Sequence, residues 1–206
     1  MSRRPRLFVI AAPSGAGKTS LVNALLAREP SLRNSVSHTT RPMRPNEQHG
    51  REYFFISAEE FRALAAQGMF LEHAQVFDNF YGTSRQQLVD QLAAGFDVIL
   101  EIDWQGARQV RAALPDCVTI FVLPPSRAAL ETRLRNRKTD SEAVIARRLR
   151  DAVSDMGHCG EFDYIVVNDG FEQAASELQT IVRGEPGAAG LRAGRPELAP
   201  LLHDLV

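Results

Sequence analysis

The sequence predicts an α/β protein, a parallel sheet flanked by helices, with a small α/β lobe inserted into it. Three observations carry that expectation. Short, wholly apolar runs suited to buried parallel strands alternate along the chain with helical stretches. The first such run passes directly through a glycine-rich loop into a helix. Between about 35 and 94 the alternation breaks into short aromatic strands, a Pro-rich loop and short helices, which reads as an insertion.

Leu7-Phe8-Val9-Ile10-Ala11 is the first core strand, and the helix after its loop runs to about Arg28 and is ended by Pro30. Arg41-Pro42-Met43-Arg44-Pro45-Asn46-Glu47 is a loop with two prolines and two arginines. Tyr53-Phe54-Phe55-Ile56 reads as a strand. Ser57 can cap a helix over 58–66, with Glu60 at the capping-box position and Gly68 at its end. Residues 70–77 have mixed strand character, and 84–94 form a helix closed by Gly95. The core resumes at 97–103 with an apolar strand that carries Glu101 and Asp103 at its C-terminal end, where acids can face Mg²⁺ or its waters. A strand at 119–123 ends at Pro124-Pro125, and Ser126 caps a helix to about Arg135. A polar, basic segment leads into a helix over about 142–156. A strand at 164–168 and a helix over about 171–183 complete the core. From 184 the composition turns to Gly, Pro, Ala and Arg, which predicts a mobile or loosely docked tail over 184–206.

A chain of 206 residues with this pattern makes one domain with small inserted lobes. The net charge of −1 gives no basis for a general nucleic-acid or membrane-surface binder, and no apolar run reaches membrane-span length. Cys117 and Cys159 are far apart and lack metal-ligand spacing, so a reducing, cytoplasmic compartment is expected. The basic start, Met1 to Arg6, is not read as a signal peptide, because cleavage would remove the best motif in the chain. The five histidines, His38, His49, His73, His158 and His203, form no ligand pair.

That motif is Ala12-Pro13-Ser14-Gly15-Ala16-Gly17-Lys18-Thr19, standing between a strand and a helix as a phosphate-binding loop requires. Backbone N–H groups of such a loop cradle phosphate oxygens, and the helix N-terminus adds partial positive charge. Lys18 can reach the outer phosphates, and Thr19 can offer its hydroxyl to Mg²⁺. Position 12 is Ala where the general pattern has Gly, a small residue that serves if its φ is negative.

Five further segments stand in order: Val36-Ser37-His38-Thr39-Thr40-Arg41-Pro42-Met43-Arg44-Pro45; Gly50-Arg51-Glu52-Tyr53-Phe54-Phe55; Phe70-Leu71-Glu72-His73-Ala74; Tyr81-Gly82-Thr83-Ser84; and Glu101-Ile102-Asp103-Trp104-Gln105-Gly106-Ala107. Together they strongly resemble the guanylate kinases of bacteria, nucleoside monophosphate kinases of the P-loop superfamily, over nearly the whole chain except the tail. The resemblance implies a kinase-like domain over 6–183, with a core at 6–34 and 95–183, a GMP-binding lobe at 35–94 and a lid at about 133–150. It implies transfer of phosphate from ATP to GMP with Mg²⁺ as cofactor. Ala12, Pro13, Ser14, Gly15, Ala16, Gly17, Lys18, Thr19 and Ser20 would line the ATP phosphates, and Asn168 would lie near the adenine. Arg41, Arg44, Tyr53 and Tyr81 would hold the GMP phosphate, two guanidinium forks and two phenols suiting a dianion. Glu72 would accept from N1–H and N2–H₂ of guanine, with Ser37, Thr83 and Asp103 completing the base pocket. Lys18, Arg133, Arg137 and Arg148 would be catalytic, clamping the group in flight. Thr19 would touch Mg²⁺ directly, with Glu101 acting through water. Lys138 stands where the family often has Gly, and Glu101 where it often has Asp.

Two rivals share the scaffold. A ribose bisphosphate kinase would keep the phosphate loop but have no use for Glu72 as a base reader. A non-catalytic binding module of the same fold would not need Lys18-Thr19 or the lid arginines. A GTP switch would normally carry an Asn-Lys-x-Asp motif, which the chain lacks. The partners expected are ATP and GMP, without nucleic acid or membrane, and the oligomeric state is left open.

Overall fold

The computed structural model describes residues 3–76, 78–136 and 141–206. In chain order the elements are β1 (Leu7–Ala11), α1 (Lys18–Arg28), β2 (Leu32–Asn34), β3 (His38–Thr39), β4 (Phe54–Phe55), α2 (Ala58–Ala66), β5 (Phe70–Val76), β6 (Asn79–Ser84), α3 (Arg85–Ala93), β7 (Asp97–Glu101), α4 (Trp104–Ala113), β8 (Val118–Leu123), α5 (Arg127–Arg135), α6 (Glu142–Met156), β9 (Tyr164–Val167), α7 (Phe171–Arg183) and α8 (Ala199–Leu205). They form a five-stranded sheet in the order β2-β7-β1-β8-β9 and a four-stranded sheet in the order β4-β3-β6-β5. The chain divides into two compact units, one built from the residues up to Val9 with Ser31–Val118, the other from Ile10–Pro30 with Thr119–Val206.

In the first unit β2 and β7 pair in parallel, with Arg33 opposite Val98. The apolar β7 residues Val98, Ile99 and Leu100 are fully buried. Asp97, at the head of β7, is also buried; it takes the Arg3 guanidinium and accepts the Arg6 N–H at 2.7 Å, which ties the chain start to this strand. Residues 35–94, expected as an inserted α/β lobe, fall in this unit together with β2, β7 and α4, and the four-stranded sheet rests on stacked aromatics. The Phe61 ring lies 4.7 Å from that of Phe70 and 5.4 Å from that of Phe80. Gly82 leaves room for them, since a Cβ there would come within 3.0–3.1 Å of Phe70 and Phe61. The Ser57 hydroxyl caps α2 by accepting the Glu60 N–H at 3.0 Å, as its spacing predicts.

In the second unit β8 and β9 pair in parallel from Ile120 opposite Tyr164 to Leu123 opposite Val167. Leu21, Val22 and Leu25 of α1 and Leu178, Ile181 and Val182 of α7 are buried, and these two helices pack on each other. Glu29, just past α1, accepts from Gln179 at 2.6 Å and Arg183 at 2.8 Å on α7.

The segment 184–206, expected to be mobile or loosely docked, is packed. It makes 3₁₀ turns at Pro186–Leu191 and Pro196–Leu198 and ends in α8, with Ala188, Leu198 and Leu205 buried. The reason is the open edge of β9, whose backbone groups want partners. Arg192 bridges to Tyr164, its guanidinium lying 4.5 Å from that ring. Ala193 N–H donates to the Asp163 carbonyl at 3.1 Å, and Arg195 Nη1 donates to the Ile165 carbonyl at 2.8 Å. No helix among the described residues is long and apolar enough to cross a membrane.

Candidate active site

The phosphate loop is shaped by two glycines. Gly15 and Gly17 have φ of +95° and +93°, the left-handed region that other residues enter only at a cost. Gly17 is also the N-cap of α1, with no side chain covering the first turn, and Lys18, Thr19 and Ser20 follow it. Thr19 and Ser20 are exposed and Lys18 is half-buried. An uncapped helix N-terminus carrying a lysine and a hydroxyl is suited to phosphate.

The end of β9, in the same unit as the loop, braces it. Asn168, buried at the end of β9, donates from Nδ2 to the Ala16 carbonyl at 2.7 Å, while its N–H donates to the Leu123 carbonyl at 2.8 Å. A Cβ at position 17 would stand 2.5 Å from that Nδ2. The residue expected beside the adenine thus has its amide turned onto the phosphate loop. The Asn168 carbonyl in turn accepts from Arg133 Nη2 at 2.8 Å. Arg133 Nη1 is buried with no hydrogen-bond partner among the described residues, an uncompensated donor that an anion would satisfy.

Arg133 sits on α5 and the half-buried Arg148 on α6, and these helices pack on each other. Arg135 points elsewhere: it binds Glu142 of α6 at 2.6 Å and Glu131 at 2.9 Å, and the Glu142 and Glu131 carboxylates raise its pKa. Arg137, expected in the lid, and Lys138 lie outside the described residues.

The first unit holds a separate constellation. Glu72 on β5 stands opposite Thr83 on β6, and the Thr83 hydroxyl donates to Glu72 Oε1 at 2.6 Å. Both are buried, Glu72 being 3% exposed and Thr83 0%. Ionised, this carboxylate keeps acceptor capacity at both oxygens. Asp103 is the N-cap of α4, its Oδ1 accepting the Gly106 N–H at 2.8 Å. Ser37, just before β3, is buried, and its carbonyl accepts the Phe54 N–H at 2.9 Å.

Arg41 and Arg44 share Glu47. Arg41 Nη2 donates to Glu47 Oε1 at 2.8 Å, and the Arg44 N–H donates to Oε2 at 2.8 Å. Burial works against charge on both Arg41 and Glu47, but their hydrogen bond and mutual attraction win, so the arginine pKa rises and the glutamate pKa falls. The Arg41 guanidinium also lies 5.4 Å from the centre of the Tyr53 ring, and the Tyr53 and Tyr81 rings are 5.8 Å apart, edge to face. Burial, and next the charge of Glu101, push the Tyr53 phenol up to about 12.

A family model described as guanylate kinase matches residues 4–185, most of the chain. The chain belongs to the guanylate kinase family. A guanylate kinase of Methylococcus capsulatus is 54% identical over 200 residues, covering 97% of each protein. One of Nitrosococcus oceani is 58% identical over 177 residues, 86% of this chain and 87% of that protein. The crystal structure of guanylate kinase from Anaplasma phagocytophilum superposes with a TM-score of 0.74 at 34% identity, covering 99% of this chain and 97% of the other.

Against this guanylate kinase frame, the expected residues of the GMP lobe gather around two points. Arg41, Tyr53 and Tyr81 adjoin one another, with Arg44 joined through Glu47; Glu72 and Thr83 meet at the other, with Asp103 at the head of the helix beside them. Two residues had no part in the sequence reading. Glu47 was visible only as the acid at the end of the Pro-rich loop. Gly106 was visible only as a letter of a motif whose helix, α4, was not expected.

Proposed function

We propose that the chain catalyses ATP + GMP ⇌ ADP + GDP, the phosphotransfer of a nucleoside monophosphate kinase. The observation that carries this is the buried Glu72 carboxylate held by Thr83 in a chain of this family that keeps Lys18-Thr19 in its phosphate loop. Guanine offers two donors on one edge, N1–H and N2–H₂, and a fixed carboxylate accepts both; adenine offers no such pair. A kinase of ribose phosphates would gain nothing from a buried carboxylate beside a threonine, and a peptide-binding module would not need Lys18.

The roles follow from the chemistry. Residues 12–20 cradle the ATP phosphates, with Asn168 holding the loop in shape. Arg41, Arg44, Tyr53 and Tyr81 grip the GMP phosphate. Glu72 reads the base, with Ser37, Thr83 and Asp103 around it. The nucleophile is a phosphate oxygen of GMP, already anionic near neutral pH, so no general base is required. Catalysis is then positioning and charge stabilisation, with Lys18, Arg133, Arg137 and Arg148 offsetting charge on the transferring group.

Mg²⁺ would arrive with ATP. Among the described residues no three His, Cys, Asp or Glu side chains cluster as a metal cage. The exposed Thr19 hydroxyl would be the ion's protein ligand, with Glu101 acting through water. The ion would supply charge neutralisation on the phosphates.

A coupled assay of ADP formation with GMP, AMP, UMP, CMP and ribose 1,5-bisphosphate as acceptors tests the assignment. Turnover with GMP far above the rest is expected. Comparable turnover with ribose 1,5-bisphosphate, or none with any acceptor, would overturn it.

A further inference from the structure

Gly106 lies in the first turn of α4, where a side chain would strike the Glu72 carboxylate. A Cβ there would stand 2.5 Å from Glu72 Oε2 and 3.2 Å from its Cδ, well inside contact distance. Either the helix or the carboxylate would have to give way, and the helix is pinned. The Gly106 N–H donates to Asp103 Oδ1 at 2.8 Å. One turn on, the Gln109 side chain brackets the backbone of His73, the neighbour of Glu72: its Oε1 accepts the His73 N–H at 3.2 Å and its Nε2 donates to the His73 carbonyl at 2.9 Å. Asp103 thus fixes the first turn of α4 around position 106, and Gln109 ties that helix to β5 beside Glu72. The Glu72 carboxylate is the end of a flexible side chain, so it is the part that moves, and moving it breaks the 2.6 Å bond from Thr83.

We propose that Gly106 is a specificity-determining residue: its bare Cα is the seat against which Glu72 is set for reading the guanine edge. This rests on the reading of Glu72 as the base reader. Alanine at 106 is a better helix former than glycine, so the effect falls on base recognition rather than on helix formation. The base edge is probed most finely by GMP against IMP, which differ only in the 2-amino group.

The test compares kcat/KM for GMP and for IMP, together with KM for ATP and the thermal midpoint, in Gly106→Ala and, separately, in Glu72→Gln. For Gly106→Ala the expectation is a loss of about 10- to 100-fold with GMP and a smaller loss with IMP. The GMP:IMP ratio should fall at least about fivefold while KM for ATP stays within about twofold. A falling ratio in Glu72→Gln with an unchanged ratio in Gly106→Ala overturns the role of Gly106 alone. An unchanged ratio in both variants overturns the reading of Glu72, and this inference with it. If Gly106→Ala does not fold, pairing it with Glu72→Asp withdraws the carboxylate by one methylene. Recovery of a folded, ATP-binding protein then supports the clash, and failure to recover overturns it.

Discussion

The Thr83 hydroxyl donates to Glu72 Oε1 at 2.6 Å from the facing strand, so the carboxylate proposed to read the base has its rotamer set by its own sheet. A charge-assisted bond of this kind is typically worth about 1.5–3 kcal/mol. Thr83→Val keeps the shape and removes the donor. The expected outcome is a fall of roughly 10- to 100-fold in kcat/KM for GMP, with KM for ATP unchanged. Steady-state kinetics with each substrate varied in turn reads it.

The Asn168 amide donates to the buried Ala16 carbonyl at 2.7 Å, and Asn168→Ala removes that bond. Leaving a buried carbonyl short of a donor costs about 1–3 kcal/mol. The loop loosens where the ATP phosphates are proposed to bind, so KM for ATP should rise and kcat fall, while KM for GMP moves little. Equal changes in both KM values would contradict a role confined to the phosphate loop.

Glu47 gives the arginine loop a pH dependence with a definite sign. Its folded pKa is depressed, chiefly by Arg41 and Arg44 acting against burial, so it stabilises the fold above the ordinary carboxylate value. That contribution is lost as pH falls from about 4.5 through the depressed folded value. Thermal midpoints of the parent and Glu47→Gln, compared between pH 3 and 7, should differ at pH 6–7 and converge in acid. A gap that widens as pH falls would contradict the pairing.

Truncation after Arg183 removes the buried Leu198 and Leu205, the Arg195 bond to Ile165 and the cover on the edge of β9. Burying each of these two leucines is worth up to about 1.5–3 kcal/mol, so the thermal midpoint should drop by roughly 5–15 °C, as read by calorimetry. A midpoint within about 1 °C of the full chain would restore the picture of a loose tail.

Where neighbours in sequence are neighbours in space, the chain was readable. The strand, glycine loop and helix from Leu7 to Arg28 lie in one contiguous stretch, and the Ser57 and Ser126 caps bond three residues ahead. The roles expected of Glu72 and of the arginines and tyrosines came only through the resemblance, because Glu72 alone is an acid in a strand. Other features left no local pattern. The amide of Asn168 meets Ala16 across 152 positions of sequence. Asp103 looked like a pocket acid and is also the cap of α4, which hid that helix. The tail's Gly and Pro residues suggested looseness, yet they build the 3₁₀ turns that bring Ala188 and Leu198 into the core.

The central claim is that one buried carboxylate selects guanine, and kcat/KM for GMP in Glu72→Gln, measured beside ATP affinity by calorimetry, tests it most directly. The amide keeps one acceptor but turns an NH₂ toward a donor of the base or of Thr83, at a cost of roughly 2–4 kcal/mol. The predicted result is a loss of about 30- to 1,000-fold with GMP and an ATP affinity within about twofold of the parent. Unchanged GMP kinetics in a folded Glu72→Gln protein would contradict the account.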